Sequence, residues 1–135
     1  MTVDSYLDNY KYFSFQEKPF NEVDAMVFSF LAYGTYQDVL KTDTKLSLKE
    51  VADKQLELGV LKKKSILAIT EANKMLQKLK NYRRYKDCML FHYEYVGNVQ
   101  VQFCAISFEY LKNHIFVAFE GTDSLFSGWK ENFLL

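Results

Sequence analysis

Residues with chemical potential gather near the carboxyl end of the chain. The apolar run Ile115-Phe116-Val117-Ala118-Phe119 reads as a strand, and Glu120-Gly121-Thr122-Asp123-Ser124 follows it. In open α/β sheets, ligands bind where strands open into loops at their carboxyl ends. Gly121 permits a sharp turn or a close backbone approach. Thr122 offers a hydroxyl and a backbone amide, the donor types that stabilise an oxyanion. Gly-Thr-Asp is also ordinary turn and cap chemistry, which is its commoner use. Nucleophile and base pairs are scarce. His92 falls within a strand pattern and His114 beside a turn, and nothing in the spacing of Asp123, Ser124 and His114 builds a triad. Cys88 and Cys104 have neither CxxC spacing nor His or Cys partners at zinc-ligand intervals, and read as plain buried thiols.

The elements that must position these residues fall into two halves. Residues 1–19 are aromatic and irregular and read as a segment laid over the body. Pro19 precedes a helix whose first turn Asn21 can cap, with Glu22 and Asp24 at the positive end of its dipole. Val23, Met26, Val27, Phe30 and Leu31 make its apolar stripe, and Gly34 is its expected stop. Ser47-Leu48-Lys49-Glu50 is a capping box, with Leu46 and Val51 as the hydrophobic staple. That helix is expected to end at Gly59. A third helix is expected from Lys63 to Asn81 on the stripe Ala68, Ile69, Ala72, Met75, Leu76 and Leu79. The second half is β. Met89 to Val96 alternates, Gly97-Asn98 reads as a two-residue hairpin turn, and Val99 to Phe108 is the return strand. A looser turn over Glu109 to Asn113 leads to the Ile115–Phe119 run, whose two apolar faces suit a central strand covered on both sides.

Composition sets the class. The 135 residues suit one domain. Lys+Arg and Asp+Glu both number 17, so no overall field draws the chain to nucleic acid or anionic lipid. Aromatic residues at 17% exclude disorder and imply a large core or an aromatic-lined surface. The N-terminus has neither the positive nor the apolar region of a signal peptide. No apolar run approaches the ~20 residues that span a bilayer. A cytoplasmic location is expected, consistent with two free thiols. Lys62-Lys63-Lys64 and the run Lys78, Lys80, Arg83, Arg84, Lys86, interleaved with Tyr82 and Tyr85, read as solvated helix surface rather than a nucleic-acid patch.

Four segments in fixed order carry a resemblance. They are Pro19-Phe20-Asn21-Glu22-Val23-Asp24-Ala25, Tyr85-Lys86-Asp87, Val117-Ala118-Phe119-Glu120-Gly121-Thr122-Asp123, and Gly128-Trp129-Lys130-Glu131-Asn132-Phe133. Together they resemble the N-terminal part of a bacterial family of lipase-like α/β-hydrolases, a domain of unknown function related to the class 3 lipases. The resemblance implies a serine ester hydrolase in which Thr122 contributes to the oxyanion hole, Asp123 holds the loop and Trp129 packs at the start of the next helix. Glu120 stands where the family usually has Arg, which puts an anion beside the implied oxyanion hole. The nucleophile would lie beyond Leu135, since none of the five glycines fits a Gly-x-Ser-x-Gly elbow.

The expected fold class is therefore α/β, with N-terminal helices followed by a β-meander entering a mixed sheet, as a partial α/β-hydrolase fold. Residues 1–135 form one unit: helical over 20–81, β-rich over 88–119, with an oxyanion-type loop over 120–128. The expected function is that of an N-terminal fragment of a serine ester hydrolase, inactive alone for want of nucleophile, acid and base. The alternative is a stand-alone protein-interaction module. No cofactor or metal is expected. The expected partners are an ester or lipid substrate if a C-terminal half completes the site, and a second copy through an exposed sheet edge. No nucleic acid and no transmembrane segment are expected.

Overall fold

The computed structural model describes residues 2–97 and 102–120. The elements run α1 (Val3–Tyr10), α2 (Glu22–Leu31), β1 (Leu46–Ser47), α3 (Leu48–Glu57), a short 3-10 turn (Val60–Lys62), α4 (Leu67–Leu79), β2 (Met89–Gly97), β3 (Gln102–Leu111) and β4 (His114–Glu120). The strands form one four-stranded sheet in the order β1-β2-β3-β4, antiparallel throughout. Helices cover one face of it. The class among the described residues is thus α+β, in place of the expected mixed sheet.

Local chemistry explains most element boundaries. Asn21 accepts from the amides of Val23 and Asp24 while Asp24 reaches back to the Asn21 amide, a capping box that starts α2. Ser47 and Glu50 do the same for α3. Gly59 follows α3 at φ 71°, a left-handed position that glycine takes without strain. Three boundaries differ from expectation. The segment expected to be irregular begins with α1, because Thr2 accepts from the Ser5 amide and Val3, Tyr6 and Leu7 bury one face. α2 ends at Leu31, three residues before Gly34. Gly34 is needed for space instead: a Cβ there would lie 2.8 Å from the Tyr36 ring and 3.0 Å from Asn73 Oδ1. α4 starts at Leu67, after the 3-10 turn, rather than at Lys63.

The hairpin turns also trade places with expectation. Gly97 lies within β2, paired with Gln102, while Asn98 of the expected Gly97-Asn98 turn lies outside the described residues. The tight two-residue turn is Lys112-Asn113, between the paired Leu111 and His114, with Asn113 at φ 65°. Asparagine tolerates that region better than most residues.

The core lies between the helices and the inner sheet face. Phe28 of α2 stacks on Phe108 of β3 with centroids 4.4 Å apart and planes 2° apart. Phe20 stacks on Tyr110 at 4.3 Å. Tyr33, Tyr36, Tyr85, Phe30 and Leu76 are also fully buried. The high aromatic content is therefore mainly core.

Candidate functional site

Three regions gather side chains that could do more than pack. The first lies at the carboxyl end of β4. Gly34 and Thr35, just after α2, are held there by a buried amide relay. The Thr35 amide donates to Asn73 Oδ1 at 2.9 Å, and Asn73 Nδ2 donates to Thr35 Oγ1 at 3.1 Å. Gln55 Nε2 donates to Asn73 Oδ1 at 3.0 Å and to the Thr35 carbonyl at 3.1 Å. Gln77 Nε2 closes the chain on the Ala52 carbonyl at 2.7 Å. From the sheet side, a bulge in β2 at His92 (φ 50°) turns Tyr93 inward against Tyr36, ring to ring at 5.4 Å. Between these walls lies a groove of about 400 Å³, lined by Tyr33, Thr35, Gln37, Tyr93, Tyr95 and Glu120 among others.

Titration in this region runs toward neutral forms. Burial raises the Tyr93 phenol, reinforced by Cys104, Tyr36 and Glu120. Burial pushes the Cys104 thiol up to about 11, with Glu120 adding to the shift and a hydrogen bond from Tyr93 opposing it. A thiol held protonated at neutral pH is not a nucleophile. Thr122, Asp123, Ser124 and Trp129 lie outside the described residues, so the expected oxyanion donor is not placed against this groove. His114 begins β4 and Glu120 ends it, which separates them by roughly 20 Å at ~3.3 Å per residue. His92 is exposed and lines a different groove, with Asp43, Lys45 and Phe91. Among the described residues, no cluster of His, Cys, Asp and Glu has a metal-binding arrangement.

The second region is β4 itself. Its inward side chains, Phe116 and Ala118, meet the core. Its outward ones, Ile115, Val117 and Phe119, are 50%, 47% and 58% exposed. On the described residues β4 is the sheet edge, not the central strand covered on both faces that its composition suggested. A two-faced apolar run does not distinguish a covered strand from an uncovered one, so the sequence had no signal for this. On the outer face near β2, by contrast, Lys45 lies over the Phe91 ring at 4.8 Å and bonds Glu109 at 3.1 Å.

The third region is a buried ion pair that the sequence reading dispersed between a helix dipole and a basic run. Arg84 Nη2 and Nε donate to Asp24 at 2.8 and 3.1 Å, with both side chains fully buried. Tyr85 and Tyr6 donate to the same carboxylate at 2.7 and 3.1 Å. Arg84 also donates to the carbonyls of Phe13, Ser14, Lys18 and Pro19, and its guanidinium stacks on Phe15 at 4.1 Å. Burial opposes the Arg84 charge, but the Asp24 carboxylate more than offsets it and the guanidinium stays above its ordinary value. Every partner is internal, so this is a latch for the N-terminal segment. Lys78, Lys80 and Arg83 pair with Asp4, Asp53 and Glu17, which absorbs most of that basic run.

Comparison with known proteins adds one match. A family model described as Mbeg1-like matches residues 79–135, less than half of the chain. The match takes in β2, β3 and β4 and leaves out α1 to α3 and nearly all of α4. The family matched is not the lipase-like family expected from the four sequence segments, which corrects that expectation. No curated protein and no solved structure matches the chain. No helix among the described residues is long and apolar enough to cross a membrane.

Proposed function

We propose that the protein is an interaction module whose working surface is β4, and that the occupant of that edge is a second copy of the chain. The length and character of the edge carry this reading. β4 runs seven residues, and between His114 and Glu120 it has no charge, proline or bulge to discourage pairing. The opposite edge, β1, is two residues long and leads straight into α3. Two β4 strands related by a two-fold axis would pair antiparallel and continue the sheet from one protomer to the next. Ile115 and Val117 would then gain cross-strand neighbours on the outer face. The free, buried thiols suit a reducing compartment, and we place the module in the cytoplasm on that ground. Mass measurement over a concentration series tests the idea. A dimer that Val117→Lys converts to a folded monomer is the expected outcome. A wild-type chain that stays monomeric at the highest attainable concentration overturns it.

The groove beside Glu120 favours a second reading. In it, the chain is part of a serine ester hydrolase with a partial α/β-hydrolase arrangement, Thr122 supplies an oxyanion donor, and the chain is inactive by itself. An oxyanion hole without nucleophile and base retains only binding and electrostatic stabilisation. The full chain should leave a short-chain nitrophenyl ester unhydrolysed. Turnover that disappears in Thr122→Ala would refute the inactivity.

A further inference from the structure

Charge is neutral over the whole chain but unevenly held. The basic residues at 78, 80, 83 and 84 are consumed by internal acids. Lys62, Lys63 and Lys64 are exposed and have no ion pair among the described residues. They sit where α3 ends, the 3-10 turn crosses over and α4 begins. Five large apolar side chains protrude from the same short stretch. Leu56, Leu58, Leu61, Ile66 and Leu67 are between 38% and 52% exposed. Leu61 and Lys63 line one shallow groove of about 220 Å³ together with Ser65 and Lys74. Lys54, in the last turn of α3, adds a further exposed cation, and Glu57 is the exposed acid between them.

Folding does not explain this stretch. Its inward residues, Val60 and Ala68, already satisfy the core. Apolar side chains facing outward cost solubility unless another surface takes them. A protein groove would suit the leucines and leave three adjacent lysines to find acids in register. An anionic bilayer satisfies both at once. Its headgroups take the ammonium groups at any register, and its acyl boundary takes the leucine and isoleucine tips. Lysine favours this arrangement because its stem lies along apolar surface while its charge stays in the headgroup layer.

We propose that the end of the helical pair spanning Leu56 to Leu67 docks on an anionic lipid surface. Ile66 also lines the groove beside Glu120, but the lysines and leucines lie off the pairing edge Ile115–Phe119, so the proposal is tested apart from the pairing reading. The test is co-sedimentation of the full chain with phosphatidylcholine vesicles, with and without phosphatidylserine. Binding is expected only with phosphatidylserine and should weaken with added salt. Replacing Lys62, Lys63 and Lys64 together by Gln should weaken it on the order of 100-fold, from about fivefold per lysine. Leu61→Ser combined with Ile66→Ser should weaken it as well, with the circular dichroism spectrum unchanged. A folded chain that does not bind phosphatidylserine vesicles at low salt overturns the proposal. So does a lysine variant that loses binding while the apolar variant keeps it, since that marks a site reading charge alone, as an acidic protein would offer.

Discussion

The latch around Asp24 and the strand β4 are opposite solutions to the same problem of exposed valence. At the latch, one carboxylate receives a bidentate guanidinium, two phenols and a backbone amide, and the guanidinium's remaining donors go to carbonyls of residues 13–19. At β4, one side meets the core, while the outward side chains of Ile115 and Val117 stand half exposed. The contrast teaches where this protein is self-sufficient. The latch ties α1, the aromatic segment, α2 and the chain before β2 into one body, so it is part of the fold. Among the described residues the outward side of β4 is the more exposed, which makes it the better candidate for function.

The sharpest way to break the comparison is at the latch. Asp24→Ala leaves the Arg84 charge buried without its partner, which costs about 3–5 kcal/mol. Urea unfolding should show this as a large fall in midpoint. If the loss stays below about 1 kcal/mol, the latch is ornamental and the contrast fails. Gly34→Ala comes next. The new Cβ would meet a Tyr36 ring that is fully buried and donates to the Leu31 carbonyl at 2.6 Å, so overpacking should cost about 1–3 kcal/mol. Thermal unfolding reads it. Ser47→Ala removes the α3 cap and should cost about 1 kcal/mol, seen in the same urea series.

On the other side, Val117→Lys should change folding stability by no more than about 0.5 kcal/mol while abolishing self-association. A large loss of stability instead would show that β4 is covered within the folded chain. The alkaline limb gives a further check. Tyr6 is pushed up to about 12, mainly by burial, and burial raises Tyr36, Tyr85 and Tyr93 further. An acid whose folded pKa is raised contributes stability below its unfolded value and loses it above. Stability should therefore fall as pH rises beyond the ordinary phenol value of 10, and phenolate absorbance should lag behind that of the unfolded chain.

The Ser47 capping box, the Asn21 cap, the Gly59 stop and the alternation of β2 were legible in the sequence, because each depends on residues within a few positions of one another. The groove beside Glu120 was not, since its walls are joined by Gln55, Asn73 and Gln77 across 18 to 38 residues of chain. The same holds for the bulge at His92. It breaks the alternation that made β2 recognisable, and it is what aims Tyr93 at Tyr36.

The sequence by itself determined where α2 and α3 begin, the stripe that α4 buries and that the second half would be a meander, because caps, periodicity and turn residues act locally. Tertiary structure alone decided that Arg84 is an internal partner of Asp24 rather than surface charge. It also decided that β4 is an edge among the described residues rather than a centre, and that Lys62, Lys63 and Lys64 stand exposed beside exposed leucines. Burial is a property of what packs against a residue, and an apolar run carries no record of whether a neighbour arrives.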